Sequence, residues 1–185
     1  MNFVGNGLDR SVEMRLYNME LPKRKLPRLN GYNYANEGYY FVTICTKNKQ
    51  QLLWDIYDGT VKSVPYNDIG IIVKNELINI TSHFNDVKID KYVIMPNHIH
   101  CIVIIGCCGE TERSRPFPTL STTLSTVIGL YKSGVSKIVH KIYPYIKIWQ
   151  TSFHDHIIRN ENEYQRIWNY IDENPQKWAK DCYFV

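Results

Sequence analysis

Two histidines separated by one residue, His98 and His100, have the spacing that most directly suggests chemistry. They stand in the apolar segment KYVIMPNHIHCIVII, residues 91–105, which predicts a single β-strand. Side chains alternate along a strand, so both imidazoles should project from one face, about 6–7 Å apart along the backbone. Such a pair can bind one divalent cation, because neutral imidazole is a common metal ligand. A pair of half-exposed polar residues explains so short a motif equally well.

A second group of candidate residues lies on a helix that the sequence predicts over residues 161–174. Asn160 is a suitable N-cap, and Glu163 stands three positions later, where it would complete a reciprocal capping box. Pro175 should end or kink the helix, because it lacks an N–H group and clashes with the preceding turn. The spacing i, i+3, i+4 and i+7 predicts an apolar stripe that packs on the core: Tyr164, Ile167, Trp168 and Ile171.

Tyr170 and Asn174 lie four residues apart at the edge of this stripe. Residues four apart stack on one side of a helix, so a phenol and an amide should project together near the helix end. A phenol is a potential nucleophile, and an amide oxygen is a potential metal ligand. Because the chain contains 14 tyrosines, Tyr170 taken alone is more simply a packing residue.

These motifs together resemble those of the REP-associated tyrosine transposases, in the single-tyrosine branch of the HUH (His-hydrophobic-His) nucleases. The resemblance rests on MPNHIHCIVI, on the later segments WQTSFHDHIIRNENEY and YIDENP, and on the ending NPQKWAKD. Residues 31–53, GYNYANEGYYFVTICTKNKQQLL, are similar to the first strand of that family and its lead-in. Separated motifs in the expected order are much more specific than His-x-His alone.

The resemblance implies a metal-dependent transposase that cleaves and rejoins single-stranded DNA near palindromic hairpins. His98 and His100 would bind the Mg²⁺ or Mn²⁺ cofactor, with Asn174 as a third ligand. Tyr170 would be the catalytic nucleophile and would form a 5′-phosphotyrosine linkage without ATP. Two alternatives remain open: a metal-dependent phosphodiesterase that uses activated water, and a non-catalytic DNA-binding relative.

Other residues receive supporting or DNA-binding roles. The resemblance matches His156 and Arg159, in DHIIRN, to a supporting role near the site, and bracing of the last helix explains them equally well. The expected partner is single-stranded or hairpin DNA, which proteins bind through basic and aromatic side chains. The candidate DNA-binding residues are Lys23, Arg24, Lys25, Arg28 and Lys132. The sequence leaves open whether the protein is a monomer or a homodimer.

Composition is that of a globular protein, with 44% hydrophobic and 22% charged residues in a chain of 185. No apolar run approaches the roughly 20 residues that span a membrane, and the N-terminus lacks the apolar region of a signal peptide. We therefore expect a cytoplasmic protein that does not bind membranes. The five cysteines include no C-x-x-C pair that would indicate a zinc site or a redox dithiol.

The order of predicted elements indicates the fold class. The predicted elements are, in order, a strand at 38–46, a hairpin at 53–64, a helix from 67 or 68 to 83, the histidine strand, a helix at 125–140, an extended strand at 142–148 and the last helix. This order predicts an α+β fold, an antiparallel sheet with helices packed on one face. The resemblance implies a ferredoxin-like core, the HUH nuclease fold. We expect an irregular basic arm at residues 1–37 and one transposase domain at 38–185.

Overall fold

The computed structural model describes residues 33–34, 36–55, 66–106 and 122–184. The four basic residues predicted for the N-terminal arm and the turn of the predicted hairpin at 53–64 lie outside these residues. At the centre of the described residues is a four-stranded sheet in the order β2-β3-β1-β4, in which every neighbouring pair is antiparallel. The strands are β1 Gly38–Cys45, β2 Val87–Ile94, β3 His98–Ile105 and β4 His154–Ile158. The strand predicted at 142–148 is wrong: a turn forms there, closed by a hydrogen bond from the Ile146 N–H to the Tyr143 carbonyl at 3.3 Å, and the fourth strand is β4.

The helices follow the strands in a β-α-β-β-α-β order, which with this strand order is a ferredoxin-like core. They are α1 Asp68–Ile78, α2 Ile80–His83, α3 Leu124–Ile142 and α4 Glu161–Glu173, with a 3-10 helix at Asn174–Lys180. The predicted caps form: the side chain of Asn67 accepts from the Gly70 N–H at 2.9 Å and begins α1. The prediction of an α+β fold with an antiparallel sheet is confirmed.

The central strand β3 is buried along its whole length. The sequence of a strand that is buried on both faces is a continuous apolar run and does not alternate between apolar and polar residues. Different helices cover the two faces of this sheet. On one face, α1 and α3 pack against each other, and the Tyr131 hydroxyl of α3 donates to the Val73 carbonyl at 3.1 Å. This is the predicted one-face helical layer. The last helix, α4, lies on the opposite face, which is the face that carries the histidines.

The prediction of one continuous strand over residues 91–105 is wrong. The chain reverses between β2 and β3, and the two halves pair as an antiparallel hairpin in which Ile94 is opposite Ile99. Pro96 explains the reversal, because proline donates no hydrogen bond to a sheet ladder and a following Asn favours a turn. The Met95 N–H donates to the His98 carbonyl at 2.8 Å and closes the turn. The histidines now begin a strand, but they still share one face.

The last helix continues past its predicted end in a tighter form. Asn174 keeps helical backbone angles, φ −56° and ψ −43°, although it precedes Pro175. Tyr170 and Asn174 therefore still project from consecutive turns, as predicted. Within the described residues, no helix combines the length and the apolar character needed to cross a membrane.

Candidate metal and nucleophile site

The two histidines of β3 face each other beneath α4. Their Nε2 atoms are 3.0 Å apart, and the side chains of His98 and His100 are buried, with 0% and 1% of their surface exposed. Burial lowers the pKa of each imidazole to about 3. Both rings are therefore neutral near pH 7, and neutral imidazole is the form that binds a metal ion.

The predicted nucleophile lies beside this pair. The hydroxyl of Tyr170 on α4 is 3.2 Å from Nε2 of His100, and its ring packs against Phe41 of β1 with centroids 6.0 Å apart. Tyr170 is 41% exposed, so its hydroxyl is within reach of a substrate at the surface. Partial burial of the Tyr170 side chain raises its pKa to about 12, and a hydrogen bond from the side chain of Asn174 opposes that rise.

The predicted third ligand, Asn174, is buried with 3% exposure on the turn after Tyr170. Its amide oxygen has no hydrogen-bond partner among the described residues. A buried acceptor without a partner costs about 1–3 kcal/mol. The amide oxygen of Asn174 is therefore available to a ligand, and its role as the third metal ligand stays a prediction.

A further acidic residue, Asp181, was missed by the sequence analysis. One of its carboxylate oxygens, Oδ2, is 3.8 Å from Nε2 of His98, and the side chain is 2% exposed. The same oxygen has no hydrogen-bond partner among the described residues. Asp181 follows the last helix in an irregular segment, where no periodic pattern reveals which way a side chain points. Its place at the end of NPQKWAKD was the available signal.

These residues fit a divalent cation. His98, His100 and Asp181 each offer a ligand atom, and these atoms lie within 4.8 Å of one another. Two nitrogens that are each about 2.1 Å from one ion, at a right angle, stand about 3.0 Å apart, which is the separation of the two Nε2 atoms here. A set of imidazole nitrogens with carboxylate and amide oxygens suits Mn²⁺ and accommodates Mg²⁺.

His156 and Arg159 both contact Glu163 at the start of α4, and their supporting role at the site stays a prediction. His156 Nε2 is 2.6 Å from one carboxylate oxygen of Glu163, and the backbone N–H of Arg159 donates to the other at 2.9 Å. These contacts lower the pKa of Glu163, the Arg159 hydrogen bond most and the His156 hydrogen bond next. Asn160 caps the helix by accepting from the Glu163 N–H at 2.9 Å. The capping box is thus shifted by one residue, since Glu163 accepts from Arg159 rather than from Asn160.

A second tyrosine, Tyr183, packs on the histidine pair from the C-terminal segment. Its ring centroid is 4.6 Å from that of His98, and the ammonium of Lys49 lies 5.2 Å from the same ring. Burial raises the pKa of Tyr183 to about 12, as it does for Tyr170. Two tyrosines therefore contact the pair, and only Tyr170 was predicted from the sequence.

The predicted DNA-binding residues are not brought together by the described part of the chain. Lys23, Arg24, Lys25 and Arg28 lie outside it. The ammonium group of Lys132 on α3 donates to three consecutive backbone carbonyls. These are the carbonyls of Gln150 at 2.5 Å, Thr151 at 3.1 Å and Ser152 at 3.3 Å. These bonds tie α3 to the segment before β4, and a DNA contact of Lys132 stays a prediction.

Comparison with known proteins supplies the family context. No family model matches the chain. An uncharacterised protein of Haemophilus influenzae is 37% identical over 178 residues, covering 91% of this chain and 97% of that protein. The REP-associated tyrosine transposase of Escherichia coli is 25% identical over 150 residues, covering 80% of this chain and 73% of that protein.

A solved structure, that of a REP-associated tyrosine transposase bound to a REP hairpin, is similar in fold. It matches with a TM-score of 0.55 and 21% identity, and the match covers 85% of this chain and 76% of that one. The chain thus belongs to one family with the Haemophilus influenzae protein, and its resemblance to the REP-associated tyrosine transposases is confirmed in sequence and in the HUH fold.

Proposed function

We propose that this protein is a metal-dependent transposase that nicks and rejoins single-stranded DNA near palindromic hairpins through a 5′-phosphotyrosine intermediate. The observation that carries the proposal is the 3.2 Å approach of the Tyr170 hydroxyl to His100, within a buried pair of neutral imidazoles. The E. coli relative is a transposase, and the structural neighbour is bound to a hairpin, which supports DNA as the partner. In this proposal residues 38–185 form the transposase domain, and the basic residues before it contact phosphates.

The metal requirement follows from the charges around the nucleophile. The pKa of Tyr170, about 12, leaves the phenol protonated at neutral pH, and two neutral imidazoles add no positive charge that would favour the phenolate. His98, His100, Asp181 and Asn174 would hold the cation. When bound, a divalent cation polarises the scissile phosphate and lowers the cost of ionising a nearby oxygen.

The chemical step is an exchange of one phosphodiester for another. The Tyr170 oxygen forms a bond to phosphorus, and the bond from phosphorus to the 3′-oxygen breaks. The phenol loses one proton and the departing 3′-oxygen gains one, so atoms and charge balance without a nucleotide cofactor. Phe41 packs against the Tyr170 ring and Asn174 donates to its oxygen, so both orient the attacking group.

Covalent trapping tests the proposal. Hairpin oligonucleotides from the DNA flanking the gene are labelled on either side of the cut and incubated with the protein and Mn²⁺ or Mg²⁺. We expect only the label downstream of the cut to stay on the protein through denaturation, because the 5′-phosphate remains on the enzyme. An adduct with the upstream fragment contradicts the assigned polarity. Cleavage without an adduct would instead indicate an activated-water phosphodiesterase, and binding without cleavage a non-catalytic relative.

A further inference from the structure

The turn between β2 and β3 contains a fully buried amide, Asn97, whose side chain connects three separate parts of the site. Its Oδ1 is 2.8 Å from Nδ1 of His98, and its Nδ2 donates to the carbonyls of Lys49 at 3.1 Å and Tyr183 at 2.8 Å. Backbone carbonyls only accept hydrogen bonds, so the partners fix which end of the amide is nitrogen. Each end of the side chain is therefore engaged.

This arrangement sets the tautomer of His98. The Asn97 oxygen can only accept, so Nδ1 of His98 must carry the proton and donate it. In a neutral ring the other nitrogen, Nε2, then has a free lone pair. That lone pair points at His100 and lies 3.8 Å from a carboxylate oxygen of Asp181, where a cation would be held.

The tautomer of His98 in turn determines that of His100 in the metal-free protein. With the two Nε2 atoms 3.0 Å apart and that of His98 unprotonated, Nε2 of His100 carries the proton between them, and the Tyr170 hydroxyl 3.2 Å away accepts from the same N–H. Nδ1 of His100 is then an acceptor for the Thr43 hydroxyl at 2.8 Å. A cation between the rings needs both lone pairs, so the His100 proton must move to Nδ1. The Thr43 hydroxyl allows either state, because a hydroxyl both donates and accepts.

The nitrogen of Asn97 holds the backbone on either side of the histidines. The carbonyl of Lys49 belongs to a turn in which Asn48 and Lys49 have left-handed backbone angles, φ 54° and 55°. Such conformations are costly for residues with a Cβ and persist only where the surroundings hold them. The carbonyl of Tyr183 belongs to the segment that carries Asp181, and the Tyr183 N–H donates to Asp181 Oδ1 at 2.7 Å.

We propose that Asn97 is the positioning residue of this site: it holds His98 as the Nδ1–H tautomer and holds the C-terminal segment that carries Asp181 over the pair. Cation binding then requires one tautomer change, at His100, which Thr43 accommodates. The inference rests on the proposed function for the role of the cation. Its test uses the metal-free protein and metal alone, so it does not depend on DNA cleavage.

Nitrogen-15 NMR of the histidine rings measures the tautomers directly in the full chain. In the metal-free wild type we expect His98 as Nδ1–H and His100 as Nε2–H. Saturating Mg²⁺ should convert His100 to Nδ1–H and leave His98 unchanged. A wild-type His98 that carries its proton on Nε2, or a His100 that keeps its proton on Nε2 with Mg²⁺ bound, overturns the proposal. This measurement needs no variant.

Two variants separate the contacts of Asn97. Asn97→Ala removes all three contacts, those with His98, Lys49 and Tyr183. We expect mixed tautomers at His98 and about 10–100-fold weaker Mn²⁺ binding, the usual loss when the group that orients a ligand is removed. Asn97→Asp keeps an acceptor for His98 and removes both donors. We expect it to retain the Nδ1–H tautomer, with faster hydrogen exchange at the Tyr183 amide.

The exposed amide Asn79, at the junction of α1 and α2, provides the control Asn79→Ala, which should leave tautomers and Mn²⁺ affinity unchanged. A folded Asn97→Ala protein with the wild-type tautomer and affinity overturns the proposal. If the protein cleaves no DNA but the tautomers are those expected, the proposed function is rejected and the positioning role of Asn97 is retained.

Discussion

The hydroxyl of Tyr170 lies 3.2 Å from Nε2 of His100, although the two residues are 70 positions apart in the sequence. The contact exists because β3 begins at His98 and α4 crosses the same face of the sheet. Phe41 completes it, with its ring stacked on His100 at 5.2 Å and edge-on to Tyr170 at 6.0 Å. A phenol is thereby held against a buried, neutral imidazole pair.

His98→Ala and His100→Ala should each abolish cleavage while the fold is retained, because each removes a ligand of the cation. We expect Mn²⁺ affinity to fall by more than about 100-fold, beyond the loss typical of residues that only orient a ligand. Manganese titration and the cleavage assay are the measurements. His154→Ala is the matched control, since His154 is exposed and forms another His-x-His pair with His156 on β4. Cleavage by either ligand variant at the wild-type rate contradicts the metal-site assignment.

Asp181→Asn should have opposite effects on stability and on metal binding. The substitution keeps an acceptor for the Tyr183 N–H and removes a buried charge whose Oδ2 has no partner among the described residues. We expect the metal-free variant to be about 1 kcal/mol more stable, because an unsatisfied buried group is costly. Mn²⁺ binding should weaken at least about tenfold, within the range seen for weakened metal sites.

Denaturant unfolding without metal and a manganese titration measure the two effects of Asp181→Asn. Asp172→Asn is the control, because Asp172 pairs with Lys91 on the exposed side of α4. An Asp181→Asn protein that binds Mn²⁺ as tightly as the wild type excludes this carboxylate as a ligand.

The geometric relationships that the sequence predicted correctly are those that a local period or motif determines. His98 and His100 share a face because a strand alternates, and Tyr170 and Asn174 project together because a helix repeats. The turn at Pro96 was missed because the run is apolar on both sides of it, and two buried strands in a hairpin have the same composition as one long strand.

The C-terminal contributions to the site could not be predicted, because they depend on contacts between distant positions. The Asn97 amide holds the Tyr183 carbonyl across 86 positions, and Lys49 donates to the Cys182 carbonyl across 133. Asp181 takes its orientation from these contacts and not from a helix or strand of its own. No periodic pattern in the sequence records them.

Glu163→Gln should destabilise the protein near neutral pH and have less effect in acid. Hydrogen bonds from the Arg159 N–H first and His156 second lower the pKa of Glu163 below its usual 4.5, and Arg166 lies 3.7 Å away. A carboxyl with a lowered pKa in the folded state stabilises it above its ordinary pKa, and that stabilisation is lost as pH falls through the folded-state value. The difference in melting temperature between wild type and variant should therefore shrink between pH 6 and pH 3. Glu161→Gln is the control, and a constant difference contradicts the assignment.

Tyr170→Phe should bind hairpin DNA with affinity within about threefold of the wild type, a difference below about 0.7 kcal/mol. The phenolic oxygen is needed for the attack on phosphorus, whereas its ring keeps the contacts with Phe41 and His100. Fluorescence anisotropy with a labelled hairpin measures the affinity, and gel analysis should show no cleavage. Loss of binding in this variant would indicate a structural role for the hydroxyl.

Peptide mapping of the covalent adduct identifies the nucleophile. Two other tyrosines, Tyr164 and Tyr183, are the alternatives that the mapping must exclude. Tyr164 lies on α4 as well, but its hydroxyl donates to Asp90 and burial raises its pKa further than that of Tyr170. Tyr183 packs on His98, and its pKa is likewise raised to about 12, so ionisation alone does not distinguish it from Tyr170.

The position of the hydroxyl distinguishes the three tyrosines. Among the described residues, only Tyr170 combines a 3.2 Å contact of its hydroxyl with His100 Nε2 and a side chain that is 41% exposed. We therefore expect the DNA fragment on the peptide that contains Tyr170, with no adduct in Tyr170→Phe and a normal adduct in Tyr183→Phe and Tyr164→Phe. An adduct that persists in Tyr170→Phe and disappears in Tyr183→Phe would transfer the catalytic role to the C-terminal segment. In that case the histidine pair would serve a nucleophile that approaches from the side of Asn97 and Lys49.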